Sequence, residues 1–297
     1  MRATDARVLL TGATGGIGQA AAEALVLAGA SVMLVGRSPA RLATQARALM
    51  QNSPSGTESK VEWYAADLTR TASITGLGEV AAAWGCNAVV HGAGLPGFGR
   101  LESLGATEMA KMLHLNLFVP MLLTQSLLPH LRGLPEARIL FVGSVLGRLG
   151  LPGYSVYSAS KFGLRGFAES LRRELGDTRI GVQYLGPRST RTTFNSDAVN
   201  HYNSATGTAI DDPEVAGRAV LSLLLSNTAE RFLGFPEKLA VRLNGLVPAW
   251  LDGAFARHRQ SLAPVVQPAP LSLDCRATVE GDPETQADSH SLMRTAS

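Results

Sequence analysis

Short, continuous apolar runs punctuate the first two thirds of the chain. Ala6 to Leu10, Ser31 to Val35, Val61 to Ala66, Asn87 to Val90 and Ile139 to Val142 are each too short for a helix. Ala6 to Leu10 does not alternate with polar residues, as expected of a strand buried on both faces of a parallel sheet. A sixth strand is predicted before Pro187. Longer segments between the runs have apolar residues at helical spacing. Ile17, Ala20, Ala21, Ala24, Leu25 and Ala28 share one face of a helix that Gly29 closes. Further helices are predicted from Pro39 to Met50, from about Thr69, and from Tyr157 to Leu175, where Phe162, Leu164, Phe167, Leu171 and Leu175 set the spacing. Leu115 to Leu131 is interrupted by Asn116, Pro120, Gln125, Pro129 and His130, and reads as a helix buried on most sides. Strands alternating with helices predict an α/β fold, a doubly wound parallel sheet of the Rossmann kind, in a single domain spanning residues 1–260.

The later part of that domain is patterned differently. Residues 195–235 are expected to carry a substrate lid: Phe194 to Ile210 is polar and weakly periodic, placed to close over a bound molecule. Asp211-Asp212-Pro213-Glu214 then starts a helix with an acidic N-cap and a first-turn proline, running to about Ser226. Arg231 to Phe235 reads as a last edge strand. Residues 236–260 predict amphipathic C-terminal helices. Leu239, Leu243, Leu246, Val247, Trp250, Leu251 and Phe255 supply apolar bulk; Lys238, Arg242, Arg257 and Arg259 supply charge. Packing against the domain or a second subunit is the first reading of that stretch, and peripheral membrane contact the second. Residues 261–297, which include Cys275, are rich in Pro, Ala, Ser, Thr, Asp and Gln and predict a disordered tail.

Composition narrows the function classes. A net charge of +3 with basic residues scattered along the chain gives no nucleic-acid footprint. Two cysteines, Cys86 and Cys275, make no disulfide framework, and the six histidines lack ligand spacing, so no metal is expected. Glycine and threonine interrupt the N-terminal apolar run before a signal-peptide core forms, and Leu115 to Leu131 falls short of a membrane span. A cytoplasmic location is expected.

The candidate chemistry lies at the predicted strand ends. The first strand runs into Thr11-Gly12-Ala13-Thr14-Gly15-Gly16-Ile17-Gly18 and then a helix, a phosphate cradle in which glycine lets backbone N–H groups approach a pyrophosphate at the positive end of the helix dipole. After the second strand stands Arg37 and no acid. An acid there would select NAD(H), and an arginine accommodates the extra phosphate of NADP(H), which is therefore the preferred cofactor. Asp67-Leu68 follows the third strand, where the carboxylate would meet adenine or cap a helix. Ala93 and Gly94 follow the fourth, where a small residue lets a ribose lie close. Tyr157 and Lys161, four apart on one predicted helix, are face neighbours, and Ser144 lies just past the fifth strand. A cation beside a phenol depresses its pKa and prepares it for proton transfer.

The set Thr11, Gly12, Gly16, Gly18, Asp67, Ala93-Gly94, Asn116, Ser144, Tyr157-x-x-x-Lys161, Pro187 and Thr192 resembles the short-chain dehydrogenase/reductase family from about Val8 to Thr192. The resemblance implies hydride exchange between NAD(P)(H) and a small carbonyl or secondary alcohol, the substrate class extending to lipid-like molecules, in a homodimer or homotetramer. It implies catalytic roles for four residues. Tyr157 would be the general acid, Ser144 would hold the carbonyl oxygen, Lys161 would bind the nicotinamide ribose, and Asn116 would hold a relay water. Cofactor contacts would come from Thr11, Gly12, Thr14, Gly15, Gly16, Ile17, Gly18, Arg37, Asp67, Leu68, Ala93, Gly94, Tyr157, Lys161, Pro187, Thr190 and Thr192. Two departures stand out. His91-Gly92 replaces a pair of asparagines, and Arg188 replaces a glycine, making the loop after Pro187 bulkier and more cationic; Arg188 or Arg191 could attract an anionic group. The alternative class is a dinucleotide-binding sensor or scaffold on the same fold without catalysis.

Overall fold

The computed structural model describes residues 1–53, 60–235 and 237–262. Seven parallel strands form one sheet in the order β3-β2-β1-β4-β5-β6-β7. They are β1 (Arg7–Thr11), β2 (Ser31–Gly36), β3 (Val61–Ala65), β4 (Ala88–His91), β5 (Ala137–Val142), β6 (Ile180–Gly186) and β7 (Glu230–Phe232). The helices are α1 (Gly16–Leu27), α2 (Pro39–Gln51), α3 (Thr71–Trp84), α4 (Ala106–Leu113), α5 (Val119–Arg132), α6 (Ser155–Glu174), α7 (Asp197–Thr206), α8 (Pro213–Leu224), α9 (Glu237–Asn244) and α10 (Ala256–Gln260).

Period-two geometry sends alternate strand residues to opposite faces. Val8, Leu10, Val32, Leu34, Val90, Leu140 and Leu185 pack under α1, α2 and α8 through Leu25, Val26, Leu42, Leu49, Val220 and Leu223. Leu9, Met33, Val89, Ile139, Phe141 and Val182 pack under α3, α5 and α6 through Ile74, Leu77, Leu123, Leu127, Leu164 and Leu171. Both faces are apolar along the central strands, which read as runs; the edge strand β3 differs, with Glu62 and Trp63 exposed. The sheet order reverses between β1 and β4, which places a crevice at the carboxyl ends of those strands.

Several expectations are corrected. Leu115 to Leu131 belongs to a longer helical run, Ala106–Arg132, whose mean hydropathy of 1.2 and length meet the test for a membrane span. In the fold, Leu123, Leu127 and Leu131 lie in the core, whereas Leu113 is 39% exposed and Phe118 47%, so the run is not buried on most sides. A π turn at His114–Phe118 separates α4 from α5. Phe162 is 42% exposed and points away from the face that buries Leu164 and Leu171. Asp212 does occupy the α8 N-cap, but its carboxylate makes no cap hydrogen bond and instead takes Arg191 at 3.1 Å. The polar stretch after Phe194 forms α7, capped by Ser196 and closed by Gly207 at a φ of 70°.

In the C-terminal part, α9 docks on the loop after β5. Val241 is buried against Val145, Leu146 and Leu149, with Leu243 and Leu246 exposed. Ser261 and Leu262, expected to begin a disordered tail, continue the packed chain, with Leu262 seated over Gly153. The rest of the expected tail, with Cys275, lies outside the described residues.

Candidate active site

The glycine turn comes first in the chain and is built by close approach. Gly12 has a φ of 69°, and a Cβ there would lie 2.6 Å from Gly92 O and 2.7 Å from Ala93 N. A Cβ on Gly18 would lie 2.2 Å from Gly12 O, so the start of α1 rests directly on the turn. Gly15 stands at the α1 N-cap without a capping side chain, which leaves the first-turn N–H groups to an anion. Thr11 serves the turn from below: its hydroxyl accepts from Gly92 N at 3.1 Å and Ala93 N at 3.3 Å, tying the end of β1 to the loop after β4. Thr14 is held through its carbonyl, which accepts from the Arg41 guanidinium at 2.9 Å, and Gln45 holds Ala13 O at 3.0 Å. Sequence reasoning missed both braces; they are polar residues at helical spacing on α2. Ile17 packs on the core, and Leu68 is buried.

Arg37 is exposed at the end of β2 and lies within electrostatic reach of Asp67. Asp67 accepts from Thr69 N at 3.1 Å and Thr69 Oγ1 at 2.8 Å. These hydrogen bonds hold its carboxyl below the usual range, with a smaller contribution from Arg37. The carboxylate therefore shapes the turn before α3 rather than capping the helix, whose N-cap is Arg70.

At the centre stand Ser144, Tyr157 and Lys161. Ser144 follows β5, and its Oγ accepts from Leu146 N at 3.1 Å, which leaves the hydroxyl proton free to donate. Tyr157 and Lys161 lie one turn apart on α6, with the ammonium 5.7 Å from the centre of the phenol ring. Lys161 is 4% exposed and donates to Val142 O at 3.4 Å. Burial lowers its pKa from 10.5 to about 8. In the chain without cofactor the expected depression of the tyrosine pKa does not appear. Burial drives Tyr157 well above its ordinary value, the Ser144 hydroxyl pulls it back only in part, and the protein alone keeps the phenol protonated.

Asn116 sits in the π turn with no exposure. Its Oδ1 accepts from Leu95 N at 2.7 Å, and its Nδ2 donates to Leu95 O at 3.0 Å and Ser160 Oγ at 3.2 Å. The amide thereby joins the β4 loop to α6. A Cβ on Gly94 would fall 3.1 Å from Asn116 Oδ1 and 3.7 Å from Lys161 Nζ; its absence keeps a lane open beside the ammonium. Ala93 is half-buried beside it.

The loop after β6 closes the crevice. Pro187 O accepts from Val145 N at 2.9 Å, and the Thr192 side chain lies over Gly16. Thr190 is buried, and its hydroxyl donates to Arg188 O at 3.0 Å, a bond that serves the loop itself. Arg188 does not wait for an anionic ligand: it pairs with Asp211 at 2.7 Å and Glu237 at 3.3 Å, while Arg191 pairs with Asp212 at 3.1 Å. His91 points away from the crevice, stacked on Phe141 at 4.8 Å and hydrogen-bonded to Thr124 at 2.9 Å. It is a core residue in place of a site asparagine.

The glycine turn, an open lane at Gly94 and the Ser144, Tyr157 and Lys161 side chains thus meet at the reversal point of the sheet. Residues 6–203 match the family model for short chain dehydrogenase. The chain belongs to the short chain dehydrogenase family. Among curated relatives, the dehydrogenase is 29% identical over 218 residues to dehydrogenase/reductase SDR family member 7B of Mus musculus, covering 72% of this chain and 67% of the mouse protein. It is 32% identical over 230 residues to oxidoreductase claN of Passalora fulva, covering 75% of this chain and 97% of the fungal protein. Among solved structures, a short-chain dehydrogenase from Sphingobium yanoikuyae in complex with NADPH superimposes with a TM-score of 0.70 at 25% identity, over 87% of this chain and 98% of that one. No group of three or more His, Cys, Asp or Glu among the described residues could hold a metal ion.

Proposed function

We propose that this dehydrogenase is an NADPH-dependent carbonyl reductase whose substrate carries an apolar, ring-bearing or otherwise lipid-like body. The observation that carries the reading is the convergence of Ser144, Tyr157 and Lys161 past the end of β5, with the Lys161 ammonium 5.7 Å from the centre of the Tyr157 ring. A neutral phenol is the form that donates a proton to a carbonyl oxygen, and desolvation favours that form. Tyr157 and Ser144 donate to the oxygen as negative charge develops there, and Lys161 and the lane at Gly94 take the ribose. The glycine turn takes the pyrophosphate. Bound NADPH supplies the hydride. Arg37, exposed and without an acid beside it on β2, favours the additional phosphate of NADP(H).

The substrate class follows from the rings around the proton donor. Phe194, 37% exposed, stands edge-on to Tyr157 at 6.3 Å, and Tyr154 at 6.2 Å. Phe98 and Tyr202 continue the wall, each pairing with Tyr154, and His258 of α10 packs on Tyr202 at 5.6 Å. Arg188 and Arg191 are both committed to carboxylates, so no cation is left in that loop for an acidic substrate. A sensor that binds dinucleotide without turnover has no use for a buried proton donor. Exposed Leu113, Phe118 and Phe162 on neighbouring helices favour a homodimer or homotetramer sealed by a second copy.

The test is NADPH oxidation with aryl and long-chain ketones and aldehydes. Turnover that Tyr157→Phe removes while NADPH binding persists supports the proposal; binding without turnover of any member of the panel refutes it.

A further inference from the structure

The catalytic serine is the first residue past the point where β5 leaves the sheet. Gly143 N still donates to Leu185 O at 2.8 Å, as a ladder residue does, but Ser144 N has no strand beside it. A buried N–H without a partner costs about 1–3 kcal/mol, so its partner needs an account. That partner is a side chain: Ser144 N donates to the Tyr184 hydroxyl at 3.1 Å, and the same hydroxyl donates to Ser144 O at 3.0 Å. One oxygen reaches both groups because Ser144 is fully extended, with φ of −164° and ψ of 161°, which turns its N–H and C=O to the same side.

Two glycines make room for this contact. A Cβ on Gly143 would lie 2.1 Å from the Tyr184 ring, and one on Gly147 would lie 2.1 Å from its hydroxyl. The ring itself is 2% exposed and packs against Phe232 of β7 at 5.9 Å. A Cβ on Gly186 would collide with that phenylalanine at 2.3 Å. Two small residues thus flank a large one, and the large one ends in a polar atom aimed at the serine backbone.

We propose that Tyr184 is a positioning residue for catalysis: its hydroxyl clamps the Ser144 backbone and so fixes the direction from which the serine hydroxyl meets the substrate oxygen. It touches no reacting atom and acts through Ser144. With the backbone held by Tyr184 and Oγ held by Leu146 N, the serine has one remaining freedom, rotation of its hydroxyl proton. The catalytic consequence rests on the reductase reading above; the clamp itself does not.

Tyr184→Phe keeps the ring and removes the clamp, and two measurements separate the clamp from its consequence. In the full-length chain without cofactor, amide exchange followed by NMR should show the Ser144 N–H exchanging on the order of tenfold faster in Tyr184→Phe, with Gly143 unchanged, since a single hydrogen bond is worth about that factor. Unchanged Ser144 exchange overturns the clamp whatever the chain catalyses. In NADPH-dependent reduction of an aryl ketone, Tyr184→Phe should lower kcat about ten- to a hundredfold with the KM for NADPH unaltered, as small misplacements of a catalytic group do. In a Ser144→Ala background the same substitution should have no further effect on kcat. Independent, multiplying losses in the double variant overturn the positioning role and leave Tyr184 as packing. If the unaltered chain reduces nothing, the reductase reading fails while the exchange measurement still decides the clamp.

Discussion

Replacing Lys161 by methionine sets the chemistry of the site against its stability. The ammonium is 4% exposed, and the one hydrogen bond it makes, to Val142 O, is long at 3.4 Å. Burial lowers its pKa from 10.5 to about 8. A lysine whose folded pKa is depressed resists folding while it is charged. The penalty is full below about pH 8 and disappears as pH rises to 10.5, because the folded state gives up its proton first. Each pKa unit corresponds to about 1.4 kcal/mol, so holding the charge at neutral pH costs roughly 3 kcal/mol. Loss of the Val142 hydrogen bond offsets roughly 1 kcal/mol of that. Methionine has similar length and no charge, and should stabilise the chain without cofactor by about 2 kcal/mol at pH 7, or a Tm increase on the order of 4–8 °C for a domain of this size. Thermal unfolding from pH 7 to 10.5 is the assay. The advantage should shrink steadily above pH 8 while carbonyl reduction is lost at every pH. A variant no more stable than the parent at pH 7, or a difference that does not change with pH, would refute the reasoning.

Other substitutions probe separate parts of the molecule. Arg37→Asp should weaken NADPH binding about tenfold or more relative to NADH; fluorescence titration of the unaltered protein giving equal affinities for the two would contradict the cofactor assignment. Arg188→Ala leaves Asp211 and Glu237, each less than 20% exposed, without their cation. It should cost roughly 3 kcal/mol of stability, read in urea melts, and leave the discrimination between neutral and acidic substrates where it was. His91 is held neutral by burial, its pKa lowered from 6.5 to about 3. The unfolded chain takes a proton below pH 6.5 that the folded chain refuses until about 3, so stability falls with acidity at up to about 1.4 kcal/mol per pH unit across that window. His91→Phe should flatten that slope, at the expense of the Thr124 hydrogen bond at neutral pH, and an unaltered slope in acid melts would count against it.

The sheet could be read from the sequence because burial on both faces writes each strand as a run, and the glycine turn because only glycine permits such close backbone approach. Ser144, Tyr157 and Lys161 were visible for a similar reason: spacing on a helix and position past a strand place them. What stayed hidden depends on contacts far apart in the chain. Arg188 looked available until folding brought Asp211 and Glu237 to it, 23 and 49 positions away. Tyr184 lies in β6, and only its pairing with Gly143 and Gly147 shows why it is a tyrosine. In the chain without cofactor the tyrosine pKa is raised, because neighbour spacing says nothing about how far a group is desolvated. The π turn at His114–Phe118 has no periodic signature, since its hydrogen bond from Val119 to His114 changes the repeat for a single turn.

Asn116 fastens the cofactor end of the crevice with hydrogen bonds to Leu95 and Ser160, whereas the opposite end is closed by ring edges from Phe194, Tyr202 and His258, on segments later in the chain. Apolar edge contacts tolerate exchange of one side chain for another far better than a saturated amide does. Under the proposed reading, mutation can therefore retune which substrate is accepted while Ser144, Tyr157 and Lys161 stay as they are, and descendants of this chain should differ first in those rings.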